Sequence, residues 1–435
     1  MNNTTKDVLE FVKENDVKFI RLGFCDMYGL QKNVAIMADR LPAAFAEGVS
    51  FDAHSIRHFS GISKSDLFLF PDPATLSLLP WRPGSGRVAH FHCDIKTPAG
   101  EEFLLDGRGI LKKAAKRAEE MGYVVKIGAE CEFYLFKTDE NGEATAIPLD
   151  QGSYLDTQPL DKGEDIRREI CLTLEEMGIH PESSHHEQGP GQNEIGFQFG
   201  DAVDCADNVQ MFKSAVNAIA ARNGLFASFL PKPLADEPGN GLHINLSLSR
   251  SGQNIFKNKN EGHSAAAESF IAGVLRRIPE ITVFLNPLES SYARLGTFSA
   301  PKYVSLSHQN RSQLIRIPAA IGEKVRMELR SPDPAANPYL AFALIIAAGL
   351  DGIEAALPLP AAVDADLYTA DESVTGTLTL LPCSLDEAAA LAQASSFVKD
   401  VLGFLPVTPQ CISPVTPQIF NAGAPDSGNR PPAEA

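Results

Sequence analysis

Several carboxylates stand in segments that otherwise read as buried strands. In GAECEFYLF, Gly128 to Phe136, residues Glu130 and Glu132 are two apart and share one strand face, roughly 6–7 Å from each other. Ala129, Cys131, Phe133 and Leu135 share the other face. Two like charges on an apolar strand repel unless a cation lies beside them, although an isolated pair also fits the exposed face of an edge strand. In HHEQGPGQNEI, His185 to Ile195, the Gly189-Pro190-Gly191 centre supplies a turn that brings Glu187 and Glu194 together. Ile195, Phe197 and Phe199 are then expected on the core face of the outgoing strand. The adjacent His185 and His186 invite a zinc reading, and fit packed or solvated histidines as well. In Gly239 to Leu248, Leu242, Ile244, Leu246 and Leu248 alternate with His243, Asn245 and Ser247 on a common polar face. Glu328 and Arg330 share the face of a further strand, and Arg294, Arg311, Arg316 and Arg330 offer fixed cations for phosphate or carboxylate groups, or ordinary ion pairs.

A site rich in carboxylate oxygen with an occasional imidazole suits magnesium or manganese rather than zinc. There is no GxxxxGK[ST] segment, so a bound nucleotide is not held by a P-loop. The seven cysteines are scattered without a CxxC pair, which excludes a disulfide framework and a cysteine-based zinc site. A net charge of −17 leaves no basic face for nucleic acid. The first residues lack the apolar run of a signal peptide, and the longest apolar stretch, Tyr339 to Leu350, is too short to span a membrane. A cytoplasmic protein with no membrane partner is the expectation.

The elements that must position these residues divide the chain. Residues 5–15 have helical spacing, and strands are expected at Val17–Phe24, Lys32–Met37, Leu67–Phe70 and Val88–Ile95. A boundary falls near 97–106, where Asp106 is a reasonable N-cap for a helix from Gly109 to Met121. Strands are then expected at Tyr123–Phe136, Glu194–Phe199 and His243–Leu248. Helices are expected at Glu164–Met177, Asp207–Asn223, Ser264–Ile278 and Asn337–Ala356. The organisation is therefore residues 1–100, then 101–405, then a Pro-rich tail at 406–435 that reads as loosely ordered.

These segments together resemble the glutamine synthetase family, of the bacterial type I-like group that includes γ-glutamyl-amine ligases. The likeness runs from about residue 17 to about 405. FDAHSI (Phe51 to Ile56), Ser65-Asp66, FLPKP (Phe229 to Pro233) and NPYL (Asn337 to Leu340) support it. The resemblance implies an α+β fold, with a small β-grasp-like N-terminal domain. The larger catalytic domain would have a curved antiparallel sheet flanked by helices. It implies ATP and two or more divalent ions, magnesium or manganese. Glu132, Glu187 and Glu194 would hold one ion, and Glu130, His243 and Glu328 the second. It further implies phosphate contacts from Arg311 and Arg316, nucleotide contacts from Asn245, Ser247 and Lys324, and substrate contacts from Arg294, Gly239 and Arg330. Arg311, Arg330 and Asp52 would serve catalysis, with Asp52 arriving from a neighbour in a homo-hexamer or dodecamer. The implied reaction transfers the ATP γ-phosphate to a carboxylate, and ammonia or an amine attacks the acyl phosphate.

The sequence also departs from the family pattern. The flap that usually reads like RLVPGYEAP is RLGTFSAP here, one residue shorter, with Ser299 where a glutamate is usual. The substrate loop NGSGMH is Pro238 to His243, PGNGLH, and Ala53 and His54 interrupt the DGSS-like segment. A cationic ammonium needs negative partners, so these changes bear on the acceptor and leave ATP and the metals untouched. The helix that commonly straps two hexameric rings has no counterpart in the Pro-rich end. Tyr368 falls near a tyrosine that some members have adenylylated, in different surroundings.

Overall fold

The computed structural model describes residues 4–59, 65–82, 84–257 and 263–404. The tail expected at 406–435 lies outside them. The chain opens with a helix, Thr5–Glu14, closed at its start by a capping box in which Thr4 and Asp7 satisfy each other's backbone N–H groups. Val8 and Val12, four apart, are its buried stripe.

A six-stranded sheet follows, ordered Gln31–Met37, Val17–Cys25, Arg87–Lys96, Asp66–Pro71 and Val49–Asp52, with Ser77–Leu78 also paired to Arg87–Lys96. Val17–Cys25 and Arg87–Lys96 run parallel and the other pairs are antiparallel, with the helix Leu41–Glu47 between strands, which is a β-grasp arrangement. Its core gathers Ile20, Leu22, Leu69, Phe91 and Ile95.

The second sheet has eleven strands and runs Leu306–His308, Ile315–Ile317, Met327–Leu329, Leu242–Arg250, Val124–Thr138, Gln192–Phe197 and Pro181–His186 along its main path. Only the first of these pairs is parallel. Alternation sorts the side chains. Ile127, Ala129, Cys131, Phe133 and Leu135 join Leu242, Ile244, Leu246 and Leu248 in the core, all buried. Helices Ala202–Arg222, Ala265–Leu285 and Pro338–Glu354 contribute to the same core. The expected α+β fold, a β-grasp unit beside a helix-flanked curved sheet, is what the chain adopts. None of the described helices is long and apolar enough to cross a membrane.

Three elements depart from the sequence reading. The helix expected from Asp207 begins at Ala202. The helix expected to stop at Ile278 runs on to Leu285 with Pro279 inside it, because the apolar residues beyond the proline are buried in the core, where this helix packs against the helices Pro338–Glu354 and Leu385–Ala394. The strand after Glu194 ends at Phe197, which leaves Phe199 42% exposed rather than on the core face.

Buried polar contacts join the first sheet to the helices that flank the second. Arg108, in the first turn of the helix Gly107–Glu120, donates to Asp207 (2.9 Å), to Asp94 (2.8 Å) and to Asp72 (2.9 Å). Asn337 donates to the Asp26 carbonyl at 3.1 Å. With a guanidinium this enclosed, the three carboxylates supply the pairing that burial of a charge requires.

Candidate active site

A cavity of about 420 Å³ opens on the polar face of the second sheet. The backbone register gathers its acids. Glu132 is paired directly with Glu194 on the antiparallel neighbour, Glu130 with His243, and Asn245 with Glu328. All six residues expected to hold metal, Glu130, Glu132, Glu187, Glu194, His243 and Glu328, line this one cavity. Arg294, Arg311, Arg316, Arg330 and Gly239 line it too.

His243 sits at the centre. Its Nδ1 lies 3.4 Å from Glu130, 3.9 Å from Glu194 and 4.0 Å from Glu328, and its Nε2 lies 3.9 Å from Glu132. Nδ1 is buried without a hydrogen-bond partner. A buried imidazole nitrogen ringed at these distances by carboxylates fits a shared cation better than it fits a hydrogen-bonded core.

The electrostatics divide the acids into two sets. Burial pushes Glu132, Glu187 and Glu194 above the usual carboxylate range; the neighbouring Glu187 charge adds to this at Glu132, Glu194 at Glu187, and Glu132 and Glu130 at Glu194. Burial acts the same way on Glu130 and Glu328 but is outweighed. The His243 imidazole 3.4 Å away and the Asn245 amide hold Glu130 low, and Arg330, His243 and Arg316 bring Glu328 down to about 2. So Glu130 and Glu328 have cations within the protein, whereas Glu132, Glu187 and Glu194 lack enough of them. A divalent ion against that trio would supply the missing charge.

Further contacts fix the acids in place. Glu132 accepts from the Gly241 N–H at 2.7 Å and from Gln192 Nε2 at 3.2 Å. Gly239 and Gly241 must lack side chains: a Cβ at Gly239 would meet the Pro231 carbonyl at 2.3 Å, and one at Gly241 would meet His243 at 2.8 Å. Glu328 is held by Arg316 at 2.7 Å and by Arg330. Asn245 donates to Glu130 at 3.0 Å and accepts from Arg326 at 2.7 Å. Arg294 donates to the Ser331 carbonyl at 2.7 Å, and burial lowers its pKa against the nearby Asp333 and Glu132 charges.

Other expected residues lie outside this cavity. A smaller one of about 250 Å³ shares Glu130 and Ser183 with it, and is lined by Asn245, Lys324, Arg326 and Phe199. Ser247, on the same strand face as Asn245, is half-buried and lines neither. Asp52 is exposed at the end of the strand Val49–Asp52, where its carboxylate accepts from the His54 N–H at 2.9 Å. Tyr368 donates to the Arg311 carbonyl at 3.3 Å.

Sequence reasoning left four contributors without a role: His185, Gln192, Asn240 and Arg326. His185 is paired in register with Glu194, reaches it at 3.2 Å, and is raised to about 9 by that hydrogen bond. Its ligand atom groups with those of Glu187 and Glu194, as those of Glu130, Glu194 and His243 group together. Its place beside Glu187 was a signal; the partners of Gln192, Asn240 and Arg326 come from other segments of the chain and left none.

Fold and site define a class of protein in which a curved antiparallel sheet carries a cavity of carboxylates, an imidazole and arginines that could hold divalent metal. Comparison with known proteins makes this specific. Residues 16–98 match the glutamine synthetase β-grasp domain and residues 104–405 the glutamine synthetase catalytic domain. The chain is 46% identical over 405 residues to glutamine synthetase from Clostridium saccharobutylicum, covering 92% of this chain and 91% of that one. Glutamine synthetase from Methanosarcina mazei gives the same identity and coverage. Among solved structures, a GmaS/ADP complex superposes with a TM-score of 0.84 at 32% identity, covering 93% of this chain and 94% of that one. The chain belongs to the glutamine synthetase family and is an ATP-dependent ligase.

Proposed function

We propose that this chain joins the γ-carboxylate of glutamate to ammonia through γ-glutamyl phosphate, as a glutamine synthetase. The observation that carries the reading is the one cavity in which a cation-deficient acidic trio faces four arginines.

Glu132, Glu187 and Glu194 would hold one divalent ion and Glu130, His243 and Glu328 a second. Bound there, such ions would neutralise charge on the transferring phosphoryl group. The protein's own residues do the rest. Arg316 and Arg311 line the wall beside Glu328 and would hold phosphate oxygens, while Arg330 and Arg294 would take the substrate's carboxylates. The smaller cavity, with Asn245, Lys324 and Phe199, suits the nucleoside, the exposed ring offering a stacking face. That puts the acid and the γ-phosphate in one enclosed space, where attack becomes effectively unimolecular and the acyl phosphate is shielded from water. Asp52 lies outside its own chain's cavity and would complete a neighbour's site in a ring-shaped oligomer, helping to bind and deprotonate ammonium.

A second reading is favoured by the flap. Thr297, Phe298 and Ser299 line the cavity where a family glutamate is usual, so the wall is neutral and has room for a larger acceptor. GmaS, solved as an ADP complex, is a structural neighbour compatible with this alternative. Mass spectrometry of products formed from glutamate, ATP and an equimolar panel of ammonia, methylamine and ethanolamine decides between them. Glutamine as the main product supports the first reading, and a γ-glutamyl amide in its place supports the second.

A further inference from the structure

A second cavity, of about 370 Å³, lies where the turn at Tyr28 to Gln31 of the N-terminal sheet meets the catalytic domain. It shares no lining residue with the active-site cavity. Leu30, Phe226, Phe229, Leu230 and Leu288 make its walls largely apolar. One cation faces it. Lys213, half-buried on the helix Ala202–Arg222, donates a single hydrogen bond, to the Pro334 carbonyl at 2.5 Å. No carboxylate among the described residues forms an ion pair with it. An ammonium has three donors, and a charge withdrawn from water needs a counter-charge. The polar neighbours do not supply one at contact: the Ser214 hydroxyl donates to Gln31, the Gln31 amide donates to the Met211 sulfur, and the buried Asp333 carboxylate acts on the lysine only from beyond ion-pair distance. Burial accordingly pushes the Lys213 ammonium towards its neutral form.

We propose that this interdomain cavity binds a small organic carboxylate, with its apolar body among Phe226, Phe229 and Leu288 and its carboxylate on Lys213. The volume is at the low end of ligand pockets, about 300–1,000 Å³. Occupancy bears on the active site through two short paths. The Ser228 and Leu230 carbonyls accept from Asn240, whose side-chain oxygen accepts from Gln192, which also holds Glu132. Pro334, the acceptor for Lys213, follows Ser331, the acceptor for Arg294, by three residues. A ligand joining the two domains here is therefore an effector of the catalytic cavity. The site does not depend on which acceptor the enzyme uses.

The test is calorimetric titration of the full-length protein with hexanoate, with saturating glutamate present to occupy the catalytic carboxylate subsites. One saturable site per chain is expected, with hexan-1-ol at least about tenfold weaker because it lacks the charge. Lys213→Met, which keeps the apolar stem, is expected to weaken hexanoate by at least about tenfold and leave hexan-1-ol unchanged. Asn217→Trp, at the exposed lining position, fills the cavity without touching the lysine and is expected to abolish hexanoate binding. It decides the matter should the lysine variant fail to fold. Absence of saturable binding, displacement of hexanoate by glutamate, equal binding of the alcohol, or binding unaltered in Asn217→Trp would each overturn the proposal.

Discussion

Glu132 and Glu194 occupy directly opposed positions on neighbouring antiparallel strands, so the fold sets two carboxylates face to face in a mostly buried cavity. Opposed like charges destabilise a strand pair, and a divalent cation between them reverses the sign. Glu194→Gln is therefore expected to raise the stability of metal-free protein, by roughly 1 kcal/mol. The same substitution is expected to remove most of the stabilisation that magnesium or manganese gives the wild type, about 2.7 kcal/mol at a hundredfold excess over Kd. Denaturant unfolding with and without the ion measures both.

Arg316 and Arg330 both bind Glu328, but their surroundings differ: the Arg316 side chain is 31% exposed and that of Arg330 only 2%. Arg330→Ala leaves a buried carboxylate short of its nearest cation and is expected to cost about 3–5 kcal/mol in stability. Arg316→Ala is expected to cost less than about 1 kcal/mol, yet to lower kcat by roughly 10²–10³-fold if this side chain holds the transferring phosphoryl group. Unfolding and steady-state kinetics on the two variants separate the roles.

Asp106 ties the first sheet to the helix Gly107–Glu120 and makes stability depend on pH. Its carboxylate caps the helix Gly107–Glu120 through the Arg108 N–H and also accepts from the Ile95 N–H, each at 3.1 Å. Burial lifts its pKa to about 6. A carboxyl raised on folding gives stability that is fully present below its unfolded pKa, near ~3.9, and lost as the pH rises through the folded value. Asp106→Ser keeps a cap without the ionisable group. The unfolding free energy of this variant, relative to wild type, is expected to rise by about 1 kcal/mol between pH 5 and pH 7.5.

The neutral flap sets acceptor preference. Ser299→Glu restores a negative partner for ammonium and is expected to raise the ratio of kcat/KM for ammonia over methylamine by about tenfold, the worth of one charge-assisted hydrogen bond. An unchanged ratio would mean that position 299 does not face the acceptor.

The parts of the site that were legible are those with a local period. The alternation in Gly128 to Phe136 and in Leu242 to Leu248 placed Glu130, Glu132 and His243 on polar faces, and the Gly-Pro-Gly turn brought Glu187 to Glu194. Legibility failed where a distant segment decides. His185 becomes a partner of Glu194 through the register of the hairpin, and Asn240 matters because Ser228, Leu230 and Gln192 converge on it. Helix ends failed for a similar reason. Asp201 makes no side-chain cap, so nothing local marks the start at Ala202, and Pro279 reads as a stop although burial carries the helix beyond it.

The central claim is that a carboxylate oxygen attacks the γ-phosphorus of ATP before nitrogen attacks carbon. The most direct test supplies glutamate labelled with ¹⁸O in its γ-carboxylate, together with ATP, magnesium and ammonia, and determines the mass of the released phosphate. The account predicts one ¹⁸O atom in each phosphate, carried over when the amine displaces it. Phosphate released without label would mean that water, and not the substrate carboxylate, takes the phosphoryl group, and would contradict the ligase mechanism.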